Sequence, residues 1–348
     1  MKTKILRVNA GKPEAQKIAA AAKMLKGGGI VAFPTETVYG LGANVFNPEA
    51  VKKIFRAKGR PADNPLIVHI ARTEDIGLIA EKIPGKALRL AEKFWPGPLT
   101  MVLKKSRAVP GIVTAGLGTV AVRMPKNRVA LALIREAGFP IAAPSANISG
   151  KPSPTSAAHV AEDFKGKIPL IIDSGGSEIG LESTVVDLSS EKAVLLRPGK
   201  ISPQQLEKVL GKIIIHGSMK NSGARKSEKF RAHSPGMKYR HYAPEAKIVL
   251  VEGKYPEVRK KILERAAKIG RLKKISVISF NANHKYGKLK TFFAGTGKKA
   301  AAKKLFTLFR EMDRRKIDVV FIEAVGEDGL GMAIMNRIRK AASEKISA

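Results

Sequence analysis

Residues 216 to 245, HGSMKNSGARKSEKFRAHSPGMKYRHYAPE, interrupt an otherwise regular alternation of apolar runs. The stretch is polar, basic and rich in Gly, Ser and Pro, and no helical or strand periodicity runs through it. A connection this long inside a compact chain is a linker or a functional loop, not part of a core. It therefore divides the 348 residues into two folding units, as their number also suggests. The expected organisation is a first domain over 1–215, a linker or lid over 216–245 and a second domain over 246–348.

The first part alternates short strands with helices. AQKIAAAAKMLKGG has helical spacing from Glu14 to Lys26, and Gly27 to Gly29 stop it. GIVAFP is a buried strand ending at Pro34, and PEAVKKIFRAKG is a short helix opening at Pro48. PLIVHI, PLTMVLK, TVAVRMP, FPIAAPS, IPLIIDSG, STVVDLS and AVLLRPG are strand-like, with KALRLAEKF and RVALALIREAG as helices between them. Many strands at uneven spacing predict an α/β domain with a large mixed sheet. Beyond the linker the pattern is cleaner. AKIVLVEG, KISVISF and IDVVFIEAV are strands, separated by long helical runs, and GMAIMNRIRKAASEKI is a closing helix. That βαβ alternation predicts a small parallel, Rossmann-like domain.

Charge narrows the partners. Lys+Arg number 64 against 29 Asp+Glu, a net charge of +35. Such a field attracts nucleic acid, nucleotides or acidic proteins, although a solvated basic surface is the plainer explanation. From Arg265 to Arg310 there are 13 basic residues and no acid. Helical spacing puts Lys299, Lys303 and Arg310 near one face there, with Leu305, Phe306 and Phe309 toward the core. This surface is expected to dock tRNA or an acidic partner enzyme. The chain has no cysteine, so disulfides and Cys-based metal sites are excluded, in keeping with a reducing cytosol. The start MKTKILRVNAGK has no long apolar run, and nothing approaches the ~18 apolar residues of a spanning helix. A cytoplasmic protein without membrane contact is expected.

The densest chemical signal is KGRPADNP, residues 58 to 65. A helix ends at Lys58–Gly59, and Pro61 bars its continuation. In an extended segment Lys58 and Arg60 project to one side. No acid stands between Glu49 and Asp63, so the two cations suit an oxyanion such as phosphate. A solvated basic loop is the alternative. FPTETVYGLGAN adds Thr35, Thr37, Tyr39, Gly40 and Gly42 after a strand. TVAVRMP carries Arg123 alone in an apolar strand, where it must find a partner or a ligand. APSANISGKPSPT, LESTVVDL and LRPG contribute further hydroxyls, amides and Arg197. Short polar residues and isolated arginines at strand ends are how open α/β sheets build a ligand crevice. Gly295 to Ala300, GTGKKA, fails as a phosphate loop, because Phe292 and Lys299 stand where Gly and Ser or Thr are needed.

PTETVYGLGAN, KGRPADNPLIVH, WPGPLT, VAVRMP and PSANISGKPSPT together resemble the YrdC-like domain family. Its signature of Lys-x-Arg with a distant Ser-x-Asn falls on Lys58, Arg60, Ser145 and Asn147. HSPGMKYRHYAP and GLGMAIMNRIRKAA resemble the longer, two-domain threonylcarbamoyl-AMP synthases, so the likeness spans nearly the whole chain. The resemblance implies a large twisted mixed sheet followed by a Rossmann-like domain. It implies that L-threonine, bicarbonate or carbon dioxide, and ATP carrying Mg2+ give threonylcarbamoyl-AMP and pyrophosphate. A downstream transferase then passes the threonylcarbamoyl group to tRNA.

Site residues follow by the same resemblance. Lys58 and Arg60 are the catalytic cations, joined at the phosphates by Arg197. Asn64, Thr119, Ser145, Asn147 and Ser153, with Tyr239 and His241 of the lid, complete the ATP site. Thr35, His69, Arg123, Ala143 and Ser183 surround threonine, with Arg123 on its carboxylate. His69 would equally suit a satisfied core histidine. Two other functions fit parts of the sequence. A non-enzymatic double-stranded RNA binder needs the charge but not the hydroxyl-rich loops. An O-carbamoyltransferase usually carries zinc-finger or kinase-like domains, and a zinc finger cannot be built here without cysteine.

Overall fold

The computed structural model describes residues 2–217, 242–270 and 272–348. These fall into two compact units, one within Met1–Ser149 and Ser153–Tyr239, the other within Gly150–Pro152 and Arg240–Ala348.

The strands of the first unit are β1 (Lys4–Arg7), β2 (Val31–Phe33), β3 (Gly40–Asn44), β4 (Ile67–His69), β5 (Leu99–Lys104), β6 (Thr119–Arg123), β7 (Ile141–Ala143), β8 (Leu170–Asp173), β9 (Thr184–Asp187), β10 (Val194–Arg197) and β11 (Ile214–Ile215). They form one mixed sheet ordered β1-β8-β2-β3-β7-β4-β6-β5-β9-β10-β11. β3 and β7 lie antiparallel to both of their neighbours, whereas β4 runs parallel to β6 and β5 to β9. Side chains alternate across the sheet, so each face carries its own core. Val31, Phe33, Ile141 and Ala143 pack under helix α1 (Ala15–Lys26) and the helix Arg128–Ala137. Ala32, Leu41, Val68 and Ala142 pack under helix α2 (Pro48–Lys58) and the helix Gly85–Phe94.

β3 runs through GLGAN, which is not among the strand-like runs of the sequence. Two glycines at alternate positions ordinarily weaken a strand. Here a Cβ on Gly42 would lie 2.6 Å from Ile141 Cγ2 and 2.8 Å from the Phe33 ring. Glycine is what lets Phe33 lie across the strand, so tertiary packing overrides local propensity.

The second unit has five strands, β12 (Lys247–Glu252), β13 (Ile275–Ser279), β14 (Lys290–Phe293), β15 (Val319–Glu323) and β16 (Glu344–Ser347), ordered β14-β13-β15-β12-β16. Every pairing is parallel. Two expectations are corrected here. The closing helix ends at Ala341, and Glu344–Ser347 form β16 beside β12. Ser343 N–H bonds Ile248 O at 2.9 Å, which commits the chain to the sheet. Arg310 is 4% exposed, so it leaves the expected basic face; Lys299 and Lys303 remain exposed. Leu305, Phe306 and Phe309 are buried as expected. Among the described residues no helix is long and apolar enough to cross a membrane.

Candidate functional site

Most buried polar side chains of the first unit lie at strand ends and in the loops between them. Lys58 closes α2 and is 2% exposed. The chain then turns at Gly59, whose φ of 57° is left-handed. This corrects the expectation of one extended segment carrying two parallel cations. Lys58 Nζ turns inward and donates to Ser145 O at 2.6 Å and Asn147 O at 2.5 Å. Ser149 N–H returns a bond to Lys58 O at 2.9 Å, so helix end and loop lock together. Ser145 Oγ donates to Asn147 Oδ1 at 2.5 Å, and Asn147 Nδ2 to Ile148 O at 2.8 Å. Lys58 thus forms one cluster with Ser145 and Asn147, 87 and 89 residues away in sequence. Burial, and then the charge of Arg60, push the Lys58 ammonium well below the ordinary lysine range, with Asp163 opposing.

Arg60 Nη2 donates to Asn64 O at 2.8 Å and Pro65 O at 3.3 Å, which curls the loop around its guanidinium. Asn64 is fully buried, and neither its Nδ2 nor its Oδ1 has a hydrogen-bond partner among the described residues. A buried amide with four unmade bonds is expensive and points to a ligand. Ile67 pairs with Ala121 on one side and Ala143 on the other. Two residues along, that register brings Thr119 and Ser145 to the Pro65 end of β4. Five of the expected nucleotide residues thus gather at this end of the sheet.

A second group gathers near the last residue of β6. Arg123 Nη1 donates to Thr37 Oγ1 at 2.8 Å, and Nε to Gly97 O at 3.2 Å. Thr35 Oγ1 lies 2.8 Å from Thr37 Oγ1 and donates to Val38 O at 2.6 Å. The proton order is therefore fixed: Arg123 donates to Thr37, Thr37 to Thr35, and Thr35 to the backbone. Arg123 Nη2 also lies 2.6 Å from Glu36 Oε1, both side chains being 4% exposed. The charge expected to be alone in its strand has a buried counterion. Glu36 was legible as the one acid between Glu14 and Glu49. Ala143, the last residue of β7, stands opposite Ile67.

A third set of contacts centres on Ser183, which is fully buried. Arg197 Nε donates to Ser183 O, and Arg197 Nη2 to Ser183 Oγ, both at 3.0 Å. Ser183 Oγ is 2.7 Å from Thr100 Oγ1. One residue earlier, Glu182 Oε1 accepts from Ser153 Oγ at 2.5 Å. Thr100 and Glu182 are partners that sequence reasoning missed, since neither stands out in its run. Tyr239, His241 and most of the proposed lid, residues 218–241, lie outside the described residues.

His69 pairs with Arg123 in the β4–β6 register and is 4% exposed. Its Nδ1 lies 3.2 Å from Ile67 O, which can only accept, so Nδ1 carries the proton and Nε2 is the acceptor. The ring stands edge-on to Phe33 at 5.9 Å. Burial, then Arg123, lower its pKa from 6.5 to about 3. As pH falls below 6.5 the unfolded chain binds a proton that the folded one refuses. Stability therefore falls with pH between 6.5 and about 3. His69→Asn removes that titration. Its melting temperature relative to the parent is expected to rise between pH 7 and 4; a pH-independent difference would mean that His69 does not titrate as described.

Residues 23–199 match the family model Sua5_yciO_yrdC, described as telomere recombination, and residues 201–343 match the C-terminal domain of threonylcarbamoyl-AMP synthase. A threonylcarbamoyl-AMP synthase of Pyrococcus abyssi (strain GE5 / Orsay) is 53% identical over 334 residues, 96% of each chain. One from Bacillus subtilis (strain 168) is 46% identical over 336 residues, 95% of this chain and 94% of that one. The crystal structure of P. abyssi Sua5 complexed with L-threonine matches with a TM-score of 0.93 at 51% identity, covering 99% of this chain and all of that one. With both domain models matched in order and close relatives along nearly its whole length, the chain belongs to the Sua5/YciO/YrdC family in its two-domain form.

Proposed function

We propose that the protein is an L-threonylcarbamoyl-AMP synthase, a nucleotidyltransferase that joins L-threonine, bicarbonate or carbon dioxide, and ATP. The observation that carries the proposal is the cluster of Lys58, Ser145 and Asn147 beside Arg60 and the unpaired amide of Asn64. The names of the relatives and the threonine bound to one of them support the same reading.

The chemistry assigns roles to the residues. The threonine amine takes up carbon dioxide to give a carbamate. A carbamate oxygen attacks the α-phosphate, and pyrophosphate leaves. Anion approaches anion, so fixed cations lower the barrier. Lys58, Arg60 and Arg197 serve there, with Mg2+ entering on the ATP phosphates as part of the substrate. Asn64, Thr119, Ser145, Asn147 and Ser153 line the nucleotide, and Tyr239 and His241 are assigned to it by resemblance alone. Thr35, His69, Ala143 and Ser183 line threonine, and Arg123 binds its carboxylate. Nε2 of neutral His69 offers an acceptor there, not a charge. Carbamates lose carbon dioxide and acyl phosphates hydrolyse, so a water-poor crevice protects both. A downstream transferase takes the product for tRNA modification, and the exposed lysines of the second unit suit docking to it.

The test is pyrophosphate release from ATP with each amino acid in turn. Threonine alone is expected to support release well above background, and only with bicarbonate present. Release independent of the amino acid, or salt-sensitive RNA binding without release, would favour the RNA-binding alternative.

A further inference from the structure

Glu36 has no role in the reaction as described, yet it is the most unusual charge in the first unit. Its carboxylate lies 2.6 Å from Arg123 Nη2, with both side chains 4% exposed. The contact is close but not aligned as a hydrogen bond. Glu36 Oε1, Glu36 Oε2 and Arg123 Nη2 all lack a hydrogen-bond partner among the described residues. Buried ion pairs are ordinarily completed by such bonds, because desolvation is otherwise uncompensated.

The pair is also held still. Glu36 O accepts from Ile179 N at 2.8 Å, and Thr37 O from Gly180 N at 3.1 Å, so the loop carrying Glu36 is tied on both sides of the peptide. Arg123 is fixed by Thr37 Oγ1 and Gly97 O through Nη1 and Nε. Each ion thus keeps an uncommitted edge while its other contacts prevent it from turning away.

A free α-amino acid carries the same two charges, an ammonium and a carboxylate on one carbon. We propose that Glu36 binds the substrate's α-ammonium while Arg123 takes its carboxylate, so that the zwitterion lies over the ion pair and completes its missing hydrogen bonds. The assignment rests on Arg123 holding the substrate carboxylate, as proposed above. Ammonium supplies donors to both orphaned oxygens of Glu36, and carboxylate supplies an acceptor to Nη2. A zwitterion also leaves the buried site with unchanged net charge. A hydroxy acid would bring one negative charge and no ammonium, and an amine would bring one positive charge. Glu36 therefore selects α-amino acids, with the side-chain hydroxyl of threonine left for other residues to recognise.

The experiment is calorimetric titration of the full chain with threonine, with 2,3-dihydroxybutyrate as the analogue whose amine is replaced by hydroxyl, and with Mg-ATP. The parent is expected to bind threonine at least about tenfold more tightly than the analogue. Glu36→Gln is expected to weaken threonine by about 10- to 100-fold while analogue and ATP stay within about twofold. The loss of discrimination is the readout, because a merely structural role would weaken threonine and analogue alike. Equal weakening of both, or none, overturns the assignment. If Glu36→Gln does not melt cooperatively, Glu36→Asp keeps the charge but shortens its reach. The threonine-to-analogue ratio should then fall with ATP unaffected, and an unaltered ratio overturns the role. Failure of the parent itself to bind threonine would instead overturn the proposed function.

Discussion

Arg60→Ala is expected to slow pyrophosphate release by about 100- to 1,000-fold, the usual loss for one key electrostatic contact in a transition state. Its melting temperature should change little. The Arg60 side chain is only half-buried, and its guanidinium donates to carbonyls of its own loop, at Asn64 and Pro65. Lys58→Ala should lose comparable activity and also stability. The buried ammonium donates to the Ser145 and Asn147 carbonyls, the first of which also accepts from Asn147 N–H at 3.0 Å. Leaving an acceptor unsatisfied costs about 1–3 kcal/mol. For a unit of this size each kcal/mol lowers the melting temperature by about 2–4 °C. Turnover and melting measured on both variants separate the roles. Near-normal turnover in Arg60→Ala would contradict the phosphate assignment. An unchanged melting temperature in Lys58→Ala would contradict the anchoring of the 145–149 turn.

Arg123→Ala should be destabilised by about 3–5 kcal/mol, because it leaves the buried carboxylate of Glu36 without its counterion. A threonine defect in that variant alone would be ambiguous. The paired substitution Arg123→Met with Glu36→Gln removes both charges together. Replacing a buried pair by groups of similar volume is often neutral or stabilising, so most of the melting temperature should return. Threonine affinity should not return, since the charged hydrogen bonds to the carboxylate are gone. The threonine requirement is expected to rise by about 10- to 100-fold, with the ATP requirement within about twofold. A paired variant that melts normally and uses threonine normally would show that this ion pair is structural only.

Much of this was readable from the chain. The apolar runs from GIVAFP to AVLLRPG became strands, because buried β-branched segments between Gly and Pro leave few alternatives. The Lys-x-Arg and Ser-x-Asn positions were visible as cations and amides in loops that follow regular elements. The inward turn of Lys58 was not. It depends on the left-handed conformation of Gly59 and on carbonyls offered by a loop 87 residues away. Nor was β3 visible, since GLGAN has the composition of a turn and is held extended by Phe33 and Ile141. At the carboxyl end, AASEKI continues a helical pattern. Only the open edge of β12 explains why the last residues pair as a strand. The partner of Arg123 was within reach, as Glu36 is the lone acid of its stretch, but nothing local links residue 36 to residue 123. Their contact is made across the sheet, since Glu36 lies between β2 and β3 while Arg123 ends β6, which β7 and β4 separate from β3.

The composition of the product identifies the reaction. The protein is incubated with ATP, L-threonine and carbon-labelled bicarbonate, and the nucleotide product is isolated and its mass determined. Threonylcarbamoyl-AMP is expected, with the label in the carbamoyl carbon, one pyrophosphate formed per product, and none formed by Arg60→Ala above background. A nucleotide product without label, or pyrophosphate released without threonine, would contradict the account.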